Sequence, residues 1–92
     1  MASFGHFIKQ EREKRIWTQT EFGAKIGINS SAISRIEHGT KQLSPKKLII
    51  TAKIFGADLN KIKELYYSDK FAKEIYKNGC PETVFVVAEQ AV

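Results

Sequence analysis

The strongest constraint on this chain is a set of helix start and stop signals packed between Thr18 and Gly39. Thr18 with Glu21 three residues later spells a capping box, in which each side chain satisfies the other residue's backbone N–H. Phe22 and Ile26 follow at i and i+4, and Gly27 closes the segment as glycine does where a helix ends in the left-handed conformation. Asn29 is then placed to cap a second helix, with Ala32, Ile33 and Ile36 as its inward stripe and Gly39 as its stop. Two helices of about eight residues thus meet across a turn of three or four. The face left over on the second is polar and short: Ser30, Ser31, Ser34 and one long cation, Arg35.

The same grammar extends in both directions. Phe4, Phe7 and Ile8 keep helical spacing in a segment running to about Arg15, whose outer face is "KQEREKR". Ser44 and Pro45 read as the cap and first position of a helix with Leu48, Ala52 and Phe55 inward and Gly56 as stop. Asp58 caps the next, with Leu59, Ile62 and Leu65 or Tyr66 inward. Beyond it, "SDKFAKEIYKNG" reads as a sixth helix halted at Asn78-Gly79, and Pro81 as the start of a seventh. "TVFVV" alone also suits a strand, but Val84, Val87, Ala88 and Ala91 fit a helical stripe. The expected architecture is all-α: a five-helix domain over residues 1–66 and a helical C-terminal extension over 67–92.

Ninety-two residues bury only about 60 to 65 per cent of their unfolded surface, too little for a large enclosed active site. His6, His38 and Cys80 are too scattered for a metal signature, and no nucleophile has an evident base partner. We therefore expect no enzyme, no metal, no cofactor and no small-molecule ligand. The net charge of +5 favours a polyanionic partner, although charge alone does not separate nucleic acid from an anionic membrane. Its distribution says more: no acidic residue falls between Glu37 and Asp58, while Lys41, Lys46, Lys47 and Lys53 do. The lone Cys80 permits no intrachain disulfide, "MASFGHFIKQ" has no apolar signal region, and the longest apolar run, Val84 to Ala88, is far short of a membrane span. A cytoplasmic protein without a membrane partner is expected.

The paired short helices have the dimensions of a helix-turn-helix, whose second helix lies in the DNA major groove with its N-terminal residues at the base edges. A helix of about eight residues is roughly 12 Å long and matches a groove about 12 Å wide, provided its leading turn carries no bulky apolar side chain. Residues 17–39, "WTQTEFGAKIGINSSAISRIEHG", resemble the phage repressor/Cro-type (XRE) helix-turn-helix. The resemblance rests on Thr18-Gln19, Gly23, Gly27 and the I-S-R-I-E-x-G ending from Ile33 to Gly39, with the motif proper over 18–37. It extends less specifically from about Phe4 to Leu65. Two residues depart from the pattern: Glu11 stands where relatives usually carry an apolar residue, and Ile16 where they often carry glycine.

The resemblance implies roles. Gln19 would bind a DNA phosphate, and Ser30, Ser31, Ser34 and Arg35 would read base edges. Asn29 would act as a cap, alone or with a DNA contact. Thr40, Lys41 and Lys46 would meet the sugar-phosphate backbone. Arg12 and Glu37 would form an ion pair fastening the first helix to the recognition helix, or else stand as exposed charges. Arg35 has guanine as its natural base partner and a phosphate as the alternative.

One short recognition helix specifies few base pairs, so a homodimer on a palindromic operator in double-stranded DNA is expected. Leu65, Tyr66, Phe71, Ile75, Tyr76 and Phe85 are the candidate dimer interface. The competing reading is an antitoxin-type protein whose segment "CPETVFVVAEQAV" binds a partner protein while the helix-turn-helix regulates its own operon.

Overall fold

The helices begin where a side chain is available to accept the first free backbone N–H. In a computed structural model, which describes residues 3–91, Ser3 caps α1 (Phe4–Lys14) by accepting from the His6 amide. Thr18 and Glu21 close a reciprocal capping box on α2 (Gln19–Ile26), with N–O distances of 3.0 and 2.8 Å. Asn29 Oδ1 accepts from the Ala32 amide at 2.8 Å to start α3 (Ser30–His38). Gly27, at φ 73°, turns the chain between α2 and α3. Met1, Ala2 and Val92, at the ends of the two expected segments, lie outside the described residues.

Three boundaries differ from the sequence reading. Ser44 makes no side-chain cap, and Pro45–Lys47 form a 3₁₀ turn closed by the Lys47 amide on the Ser44 carbonyl, so α4 spans only Leu48–Phe55. The expected break near Ser68 does not occur: one helix, α5, runs from Leu59 to Lys77. That segment contains no glycine or proline. Ser68 folds its hydroxyl back onto the Leu65 carbonyl, and Lys73 pairs with Asp69 across one turn at 3.0 Å, which supports continuation. Pro81 precedes a turn rather than starting a helix, and α6 occupies Val84–Gln90. No strand forms among the described residues, so the "TVFVV" segment is helical. None of the described helices is long and apolar enough to cross a membrane.

The core lies among α1 to α4 and the first half of α5. Phe22, Ile8, Ile26, Ile33, Leu48 and Ile62 are almost fully buried in it, and each contributes about 1.5–3 kcal/mol by leaving water. Phe22 stacks on Phe55 at 5.2 Å, and Trp17 lies against both. Two glycines set the helix spacing: a methyl group on Gly23 would collide with the Ile28 carbonyl oxygen, and one on Gly5 with the Ile36 carbonyl oxygen. Gly23 lets α2 approach the turn into α3, and Gly5 lets α1 lie across the C-terminal half of α3.

Tyr66 corrects an expectation. It does not sit at a dimer interface but is buried in this chain's own core, stacked on Phe4 at 5.1 Å with its hydroxyl donated to the Leu43 carbonyl. Burial, with Tyr67 beside it, pushes its phenol above the ordinary tyrosine value. Leu65 is partly buried against the same core. The helical face that the sequence presents as apolar at 65 and 66 is consumed by the fold itself.

The two departures from the family pattern lie in the last turn of α1 and just after it. Ile16 adopts φ 59° and is 89% exposed. The site demands the left-handed conformation that glycine takes freely, and a β-branched residue there is strained by about 1–2 kcal/mol. Glu11 is half-buried and pairs with Lys14 and Arg15 at 3.1 Å, and Arg15 reaches on to the Phe55 carbonyl. Burial raises the Glu11 carboxyl, but the hydrogen bonds from Lys14 and Arg15 outweigh it and hold the group below its ordinary value.

Candidate nucleic-acid interface

Helix α3, the second of the short pair, is held by one face and free on the other. Ala32, Ile33 and Ile36 are buried at i, i+1 and i+4, which leaves Ser31 and Arg35 exposed and Ser30 and Ser34 half-buried on the outer side. Asn29, already bonded to the Ala32 amide, stands exposed at the N-terminus beside them. The positive end of the helix and three short hydroxyl side chains therefore share one surface with a single long cation. The Ser34 carbonyl is engaged by the His38 ring at 2.7 Å, while among the described residues no hydrogen bond uses the Arg35 guanidinium.

What fixes the angle of α3 is a buried ion pair. Arg12 Nε lies 2.7 Å from Glu37 Oε2 and its Nη2 3.0 Å from Oε1, a two-pronged contact with the Glu37 side chain 2% exposed. The third face of the guanidinium donates to the Trp17 carbonyl at 2.8 Å. The hydrogen bond that Arg12 donates to Glu37, ahead of the opposing effect of burial, raises the Arg12 guanidinium further above its ordinary value. This arrangement links α1, the turn before α2, and α3 through one cation.

Gln19 joins that cluster. Its amide donates to Glu37 Oε1 at 3.1 Å from a half-buried position at the start of α2. Thr40 and Lys41 sit in the loop after α3, with the Thr40 hydroxyl and both backbone amides bonded to the Arg35 carbonyl. That clasp holds the loop against the helix end and leaves the Lys41 ammonium exposed. Lys46 is exposed in the 3₁₀ turn. The lysine closest to the α2–α3 turn is its neighbour Lys47, whose Nζ lies 3.1 Å from the position a methyl group on Gly27 would take. Lys47 is visible in the acid-free window of the sequence, but adjacency alone does not say which of two lysines turns toward the motif.

The structure does not bring the expected interface residues together as one surface. Tyr66 and Leu65 belong to the core, whereas Phe71 and Phe85 meet edge to face at 5.1 Å between α5 and α6. Tyr76 is 90% exposed, and Ile75 is half-buried. Tyr67, Val86 and Val87 are exposed alongside Phe85 and were not among the expected interface residues.

A family model described as helix-turn-helix matches residues 8–62, more than half of the chain. No curated protein sequence matches closely enough to count as a relative. Among solved structures, the P22 c2 repressor protein in complex with synthetic operator 9T is similar with a TM-score of 0.62 and 21% identity, covering 67% of this chain and 94% of that one. SinR, the master regulator for biofilm formation, in complex with DNA, is similar with a TM-score of 0.57 and 23% identity, covering 64% of this chain and 95% of that one. At such identities the likeness establishes the shared repressor-like fold, while the matched motif establishes descent. The chain belongs to the helix-turn-helix family of phage repressor (XRE)-type transcriptional regulators.

Proposed function

We propose that this DNA-binding regulator is a sequence-specific repressor or controller that acts as a homodimer on a palindromic operator. The observation that carries the reading is the division of α3 into a buried apolar face and an exposed face of Ser30, Ser31, Ser34 and Arg35. Short hydroxyls let the helix approach base edges, and Arg35 is long enough to bridge O6 and N7 of a guanine. The serines donate or accept and discriminate little unaided, acting directly or through water. Asn29, Thr40, Lys41 and Lys46 flank this face and are assigned to phosphates. Gln19 shares the Glu37 carboxylate as it stands and keeps a second amide proton for a phosphate. Both similar structures were solved with DNA, the c2 repressor with an operator, which supports the same use of the fold here.

Homodimerisation is supported by the apolar residues that the single chain leaves exposed on α5 and α6: Tyr67, Phe71, Phe85, Val86 and Val87. A patch of this kind marks an association site. Selection of bound duplexes from a random pool should recover a palindrome with half-sites about one helical turn apart. No enrichment would sink the proposal. Arg35→Ala should cost about 1–3 kcal/mol at one base position, whereas Lys41→Ala should weaken all sequences alike. A uniform loss with Arg35→Ala would reassign it to a phosphate. Sedimentation should show a dimer, and a monomer that co-purifies with another protein would favour the antitoxin-type reading over a stand-alone repressor.

A further inference from the structure

The inward stripe of α5 changes character along its length. Ile62 and Tyr66 are buried against the core, and the same stripe continues at i+4, i+3 and i+4 as Lys70, Lys73 and Lys77. An extension serving only to prolong the core would carry apolar residues there. Instead the three lysines line crevices beside the loop that follows α3. Lys73 Nζ lies 3.2 Å from the position of a methyl group on Gly39, the residue that ends α3. Lys70 and Lys73 share a crevice with Lys41 and Gln42, and Lys70, Lys73 and Lys77 line an adjoining open cleft of about 280 Å³ with Gln42 and Asn78.

The carboxylates nearby do not neutralise the track. Asp69 is engaged by Lys73 at 3.0 Å, which leaves Lys41, Lys70 and Lys77 to outnumber Glu74. From Lys70 to Lys77 the row is roughly 10 Å long at 1.5 Å per helical residue. That length spans about three phosphates of one DNA strand, which recur every ~3.4 Å along the axis. The apolar residues Tyr67, Phe71 and Ile75 lie on a different face of the same helix, so a partner covering them leaves the lysines open.

The geometry points to a second backbone-binding site: Lys70, Lys73 and Lys77, continuous with Lys41, grip the sugar-phosphate backbone of duplex DNA beside the groove that α3 enters. The site deepens the DNA-binding reading and rests on it. It uses a stretch of α5 beyond residue 62, where the match to the family model ends.

The test is the salt dependence of binding to a random-sequence duplex of about three helical turns. Lys70→Gln/Lys77→Gln leaves the Lys73–Asp69 pair intact and should make the slope of log K against log salt shallower by about 2, at about 0.9 for each phosphate no longer neutralised. Lys70→Arg/Lys77→Arg should keep the wild-type slope. A charge-matched control, Lys9→Gln/Lys63→Gln, removes two exposed lysines outside the cleft and should change the slope far less. Equal slopes for wild type and the α5 variant, or equal losses in the α5 variant and the control, overturn the site while leaving the helix-turn-helix reading in place. Failure of the wild type to bind any duplex overturns both.

Discussion

Residues up to Tyr66 and those after it are both rich in apolar side chains, yet only the first group builds a core. Every buried residue of the described chain lies at or before Tyr66, while Phe71, Tyr76, Phe85, Val86 and Val87 beyond it stay exposed. Both regions are helical, so the difference is not one of secondary structure. In the first, each apolar stripe has at least two neighbouring helices to lie against. In the second, α5 runs past the core and meets α6 through Phe71 and Phe85, while Tyr67, Tyr76, Val86 and Val87 stay exposed. Helix formation and burial are separate achievements, and the unburied stripe is the surface that the proposed dimer would cover.

The largest break in this comparison should come from truncating one aromatic in each region. Phe22→Ala, at the centre of the stack with Trp17 and Phe55, should cost about 3–5 kcal/mol in urea unfolding. Phe85→Ala should cost the single chain well under that, while weakening any dimer seen by sedimentation. Comparable losses of monomer stability would mean that the extension belongs to the same cooperative unit.

Next in size is the ion pair beneath the recognition helix. Arg12→Ala strands a buried Glu37 carboxylate and should cost about 3–5 kcal/mol, because an unpaired buried charge loses its attraction but keeps its desolvation cost. Replacing both partners by apolar residues should be far milder. If the single and double variants are equally destabilised in chemical denaturation, the pair does not act as a coupled unit.

A smaller effect of opposite sign is expected at Ile16. Ile16→Gly should stabilise the chain by about 1 kcal/mol, since relief of left-handed strain outweighs the extra freedom of glycine in the unfolded state. A fall in melting temperature would show that the exposed side chain has contacts that offset its strain.

The mildest test is the acid flank. The backbone hydrogen bond from Thr18 holds the Glu21 carboxyl below its ordinary value of 4.5. The folded group thus releases its proton more readily than the unfolded one. Its stabilisation is present above pH 4.5 and is lost as pH falls through the lower folded value. Glu21→Gln should flatten stability against pH in that window, leaving the region above it unchanged. An unaltered acid flank would place the titration elsewhere.

Much of the candidate site was legible in the sequence because its signals are local. A capping box, an Asn cap and a glycine stop each join residues three or four apart, so Thr18, Glu21, Asn29 and Gly39 announce α2 and α3 before any packing is known. The polar face of Ser30, Ser31, Ser34 and Arg35 follows from the same 3.6-residue period that buries Ile33 and Ile36. Ser68 shows where local reading fails: the expected boundary between a fifth and a sixth helix falls inside one unbroken helix, in which its hydroxyl bonds backward to the Leu65 carbonyl.

What the sequence by itself determined, then, is an all-helical chain with a short helix-turn-helix and the residues that helix offers outward. Tertiary structure alone decided that Tyr66 turns inward to the Leu43 carbonyl, 23 residues away, and that Gln19 shares the Glu37 carboxylate, 18 residues away. It also decided that Lys73 of α5 comes to rest beside Gly39 at the end of α3. The reason is physical: periodicity says which side of a helix is apolar, but only the crossing of helices, set here by Gly5, Gly23 and the Arg12–Glu37 pair, says what that side meets.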